Sequence, residues 1–227
     1  MKYEEFIVTQ GWLDDMGACE AGLQAFKKHF PNGGEALEVL KRCEEINHIG
    51  YARWLVEYLP LTYPSLEFNT FVGNLLYPGD VHIKGDLSIQ ELTYIKEGLK
   101  IDGKLTVNNQ QSVLAAFVNA DDIDVSGESD IHARIKANSI SMSDYAFIRG
   151  AIVANSISLR DFVEILGTVK AKVVNLKGGY ISDDVDADEI INDGGLIDGN
   201  VNTIKIQNLN GGRVAGKITY KRSDEHK

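Results

Sequence analysis

The sequence predicts an α+β chain, a small N-terminal helical module followed by a short-coil parallel β-solenoid, and three observations predict it. Val or Ile recurs every 16 or 17 residues from Val118 to Ile218. Two neighbouring coils share the run ANSIS, at 137–141 and 154–158. Ahead of the repeat, apolar residues fall at helical spacing, punctuated by Pro31, Asn32-Gly33-Gly34 and Pro60.

In the module, residues 12–30 place Leu23, Phe26 and Phe30 on one helical face, and Pro31 ends that element. A second helix is expected from Glu35 to about Ile46, with Leu37, Leu40 and Cys43 inward. A third, from about Ile49 to Leu59, carries Ala52, Leu55 and Leu59 and is closed by Pro60. The segment 61–79 is aromatic and apolar without a clear period, and reads as a connector laid over the first coil. The domain reading is 1–77 helical module, 78–220 solenoid of about eight coils, and 221–227 polar tail.

The solenoid opens with VHIKGDLSI (81–89) and LKIDGKLTV (99–107). Regular coils then start at Val118, Ile135, Ile152, Val169, Val185, Val201 and Ile218. The first position of a coil is Val or Ile, the third is Ala until Thr203, and the sixth is Ile123, Ile140, Ile157, Val174, Ile190 and Ile206. Such residues alternate in and out along a strand, and β-branched side chains suit a pleated, half-buried wall. One coil cannot bury its apolar stripe alone; stacked coils bury a continuous one. Gly150, Gly167, Asp183, Gly199 and Gly216 follow the last apolar column, where small residues let the backbone turn. The unequal apolar spacing within a coil (118, 123, 125, 131, 135) does not fit a left-handed hexapeptide helix, so right-handed winding is expected.

The turns GGRVAGKITY (211–220) and GGLIDGNVNT (194–203), Gly followed by apolar residues, resemble the bactofilin-type β-helix, a polymer-forming prokaryotic solenoid. The resemblance covers 81–220 and implies end-to-end self-association. The helical module in front of the coils is a departure from that family's short tails.

Charge and motif content narrow the function classes. The formal charge is −10, and both 1–77 (6 Lys+Arg, 11 Asp+Glu) and 78–220 (14 against 20) are acidic. Such a field repels phosphate backbones, so no direct nucleic-acid binding is expected. No run reaches the length of a membrane span, and the start MKYEEFIVTQGW lacks the pattern of a secretory signal; a cytoplasmic protein is expected. Cys19 and Cys43 match no metal or redox spacing, nor do His29, His48, His82, His132 and His226. The run Asp184–Glu189 has Glu189 and Gly195 where a calcium loop requires Gly and Glu. No catalytic residue, metal or cofactor is expected.

What remains is a protein-interaction or assembly module, a homo-oligomer joined through solenoid ends. A helical module in front caps one end, whereas only a polar tail follows Ile218-Thr219-Tyr220. Interface candidates are Ile218 and Tyr220 at that end, Asn192 and Asn208, which align as a polar column, and the acidic Asp121, Asp122 and Asp124. The last three belong to an alternative, an acidic inhibitor mimicking nucleic acid, of phage or mobile-element origin. A second alternative is an acyltransferase-like enzyme with His132 as its base in a cleft between subunits.

Overall fold

The computed structural model describes residues 6–60 and 63–222. The tail from 223, including His226, and the first five residues lie outside the described part.

The module contains four helices: α1 (Gln10–Asp15), α2 (Glu20–His29), α3 (Ala36–Glu45) and α4 (Ile49–Tyr58). The element expected over 12–30 is therefore two helices, broken at Met16–Cys19. The break is a helix stop: Gly17 takes φ +77, its N–H donates to Asp14 O, and the N–H of Ala18 donates to Leu13 O. That pair of bonds needs a left-handed residue, which glycine supplies without a Cβ clash. Thr9 caps α1 by accepting the Trp12 N–H on its hydroxyl at 3.2 Å, and Glu35 caps α3 through the amides of Leu37 and Glu38. Ile7–Val8 pairs antiparallel with Gly34–Glu35 and ties the chain start to the α2–α3 turn. Val8, Leu23, Phe26, Val39, Leu55 and Val56 are buried between the helices.

From Leu66 onward the chain is a parallel β-solenoid of about nine turns. The expected coil starts stack in one column. Val118 pairs with Ile135, Ile135 with Ile152, Ile152 with Val169, Val169 with Val185, Val185 with Val201 and Val201 with Ile218. The same column runs back through Leu99 and Val81 to Leu66. Leu66–Phe68 and Leu75–Tyr77 thus form the first rung, stacked in parallel on 81–83 and 93–95. The segment read as a connector is part of the stack, which is why the turns exceed eight. Its short strands and aromatic residues hid its period. Residues 108–117 are also built in: after a turn with Asn109 and Gln110 at positive φ, a strand runs from Ser112 to Val125.

The repeated ANSIS has a structural reason on both sides of the wall. Ile140 and Ile157 are buried and stacked, while outside them Asn155 Nδ2 donates to Asn138 Oδ1 at 2.8 Å. The glycine column is set by close stacking as much as by turning. A Cβ on Gly150 would lie 2.0 Å from the carbonyl oxygen of Ala133, and one on Gly216 would lie 2.4 Å from that of Gly199.

The module covers the N-terminal end of the stack. α4 lies against Leu75–Tyr77 and Thr93–Ile101. Arg53 sits over the Tyr94 ring at 5.6 Å, Glu57 accepts the Tyr94 hydroxyl, and Lys96 Nζ donates to Leu59 O at 2.7 Å. Leu59, Tyr63, Leu75 and Tyr77 are buried there.

Candidate interaction surface

The C-terminal end has no such cover among the described residues. In the preceding coil Ile190, Asn192 and Ile197 are wholly buried. Their successors one rung later, Ile206, Asn208 and Val214, are half-buried or exposed. Ile204 (42% exposed), Leu209 (46%) and Tyr220 (64%) add apolar surface to this terrace. Ile218 is half-buried and pairs with Val201; Tyr220 pairs with Thr203. Ile218–Tyr220 lies over Val201–Thr203, but residues 204–209, Arg213–Val214 and Ile218–Tyr220 carry no further rung among the described residues, so their outer backbone groups form an open edge.

Asn192 and Asn208 do stack. Asn192 Nδ2 donates to Asn208 Oδ1 at 3.1 Å and to Arg213 O at 3.3 Å, and Asn192 Oδ1 accepts the Gly195 N–H at 3.1 Å. The Asn208 amide donates to nothing among the described residues, so the ladder stops at the open end.

Charge changes sign at the same place. Coil 185–200 holds Asp186, Asp188, Glu189, Asp193 and Asp198 and no Lys or Arg; the stretch 201–222 holds Lys205, Arg213, Lys217, Lys221 and Arg222 and no Asp or Glu. The two layers are bonded: Lys205 to Glu189 at 2.9 Å, and Lys221 to Asp186 and, at 3.1 Å, to Asp188. The hydrogen bond from Lys221 holds the Asp186 carboxyl below its ordinary range. Lys221 thereby folds back over the penultimate coil. The layering is hidden in the charge of each half of the chain and plain in the charge of each coil.

The acidic trio is spread along one wall and mostly engaged. Asp122 accepts the Ser139 hydroxyl at 2.5 Å, Asp124 pairs with Lys104 at 2.9 Å, and Asp121 is exposed without a side-chain partner among the described residues. Within the Asp184–Glu189 run, Asp184 accepts from the Asn200 backbone at 2.7 Å, and the other carboxylates take the lysines just named. His132 pairs with Asp130 at 3.2 Å and packs against Phe147, on an open wall beside Leu114.

One feature has no signal in the repeat columns. Tyr145 and Phe162 stand 61% and 70% exposed on one corner, their rings stacked at 5.3 Å. Tyr145 takes φ +64, an uncommon conformation for a bulky residue, and that torsion comes from the corner geometry rather than from local preference.

No protein family, curated protein sequence or solved structure matches the chain. Among the described residues, no helix is long and apolar enough to cross a membrane.

Proposed function

We propose that the chain is a non-catalytic assembly module that joins a second copy of itself through the C-terminal end of the solenoid. The observation that carries this reading is the contrast between the ends: α4 packs on the first rungs, while the core columns emerge half-covered at Ile206, Val214 and Ile218. An open parallel edge over an exposed apolar core gains both backbone bonds and burial from further strands. The unfinished asparagine ladder supports a partner that continues the same layering. Because like ends meet, the contact is isologous and closes at two; the helical cap blocks further growth. The resemblance to polymer-forming β-helices supports end-to-end stacking, and the cap accounts for a dimer in place of a filament. The acidic-mimic reading has less support, since Asp124 is paired with Lys104 and Asp122 is engaged by the Ser139 hydroxyl, which leaves Asp121 alone of the three displayed.

Native mass spectrometry and light scattering test the proposal. The full chain runs as a dimer with no larger species, and Ile218→Asp runs as a monomer with an unchanged β-sheet circular dichroism spectrum. A wild-type monomer at the highest soluble concentration sinks the reading.

A further inference from the structure

The helical module contains a cavity of about 440 Å3 that the solenoid and its end do not use. Its walls are Leu13, Phe26, Phe30, Val39, Trp54 and Leu55, drawn from all four helices and the end of α2. The space exists because Gly17, Ala18, Gly22, Ala25 and Gly50 line it with nothing beyond a Cβ. A Cβ at Gly50 would meet no atom within 4 Å. This is the size and apolar character of a small-molecule site.

The polar lining has one sign. His29, Arg42 and His48 line the cavity, and no Asp or Glu does, in a chain with formal charge −10. Arg42 Nη2 lies 3.4 Å from His29 Nδ1, while its Nη1 bonds Glu45 outside at 2.9 Å. With Nδ1 accepting from the guanidinium, the neutral ring carries its proton on Nε2, so His29 and Arg42 both present donors. Desolvation, and then the charges of Arg42 and Lys28, hold His29 below its ordinary pKa, in keeping with the neutral ring. Cys43, in the wall, has its thiol pushed up to about 11 by burial and by Glu44, and so acts as an apolar surface.

We propose that this cavity binds a free medium-chain fatty carboxylate, its alkyl chain between α2, α3 and α4 and its carboxylate at His29 and Arg42. An apolar chamber with a mouth of donors selects an apolar tail that ends in an anionic acceptor. A carboxylate takes the Arg42 guanidinium as a charge-assisted partner, which an alcohol does only weakly and an ammonium not at all.

The test uses the full chain with decanoate below its micelle concentration, followed by calorimetry and by the fluorescence of Trp54 in the wall. Decanoate gives saturable single-site binding, decanol binds at least about tenfold more weakly, and decylamine does not bind, as expected for one charge-assisted contact. Arg42→Gln brings decanoate to the level of decanol. Gly22→Leu, whose Cβ would make only ordinary contacts with Cys19 Sγ at 3.5 Å and Tyr51 Cε1 at 3.8 Å, fills the cavity and abolishes binding of both without lowering Tm. Absence of saturable decanoate binding by the wild type, or equal binding of all three probes, overturns the proposal. Unchanged decanoate affinity in Arg42→Gln does so too, and that surface variant keeps the test valid if Gly22→Leu fails to fold.

Discussion

Asn192 donates its side-chain amide to Oδ1 of Asn208 at 3.1 Å, in a column that earlier coils fill with Val125, Met142, Leu159 and Leu176. Asn192 is wholly buried, and it also satisfies Gly195 N–H and Arg213 O. A polar residue in an apolar column holds there because each side-chain group has a partner. Asn192→Ala strands those backbone groups and is expected to cost about 2–3 kcal/mol. Hydrogen exchange should speed up in residues 193–220 and stay unchanged before residue 160; uniform acceleration would show that the end does not open by itself.

Ile157 lies between Ile140 and Val174 with no exposed surface. Ile157→Asp places an unpaired charge inside the stack and is expected to unfold the rod, a loss above about 4 kcal/mol. Loss of the β-sheet circular dichroism signal reports it. Phe162→Ser, at a position 70% exposed, should leave the fold and Tm within a degree or two, which separates buried columns from displayed residues.

Two glycines should differ in what substitution costs. Gly150→Ala drives a methyl to 2.0 Å from Ala133 O and forces the rungs apart, with an expected cost of at least about 2 kcal/mol. Gly211, at φ +85, faces open space, so Gly211→Asn keeps a residue that tolerates left-handed backbone and should cost under about 1 kcal/mol. Thermal denaturation of both variants checks the contrast.

Acid should loosen specific carboxylates first. The bond from Lys100, then that from His82 at 2.7 Å, holds Asp102 below its ordinary range; the bond from Lys84 does the same for Glu67, and that from Lys221 for Asp186. A depressed folded pKa contributes stability above the unfolded value, and that stability is lost as pH falls through the folded one. Urea midpoints should therefore hold down to about pH 5 and decline below about pH 4. Lys221→Met should flatten part of that decline; an unchanged acid profile would remove the Asp186 pair from the account.

Much of the solenoid was legible because its information is periodic. Val118, Ile135, Ile152 and their successors repeat one environment, and a column of like residues exposes its register without any knowledge of the rest. Leu66 belongs to that column and Leu75 to the one through Val113 and Ile131, yet their coil is irregular and each strand spans three residues. Too few positions repeat there for a period to stand out. The interface candidates divide likewise. Ile218 and Tyr220 stand out in the sequence by their position at the end of the repeat, and Asn192 and Asn208 by their break in a column. The cavity was invisible because Leu13, Phe26, Val39 and Trp54 read as ordinary helix core, and only the placement of four helices leaves space among them.

The solenoid that the sequence alone determined is a set of registers: which residues stack, and which face they take, follow from alternation and β-branching. Tertiary structure decided what the glycines are for, since Gly150 yields to a carbonyl 17 residues earlier in the chain, a contact no local pattern records. It also decided which end lies open. Burial is a property of neighbours, and among the described residues Ile206 differs from Ile190 in having no further rung laid upon it.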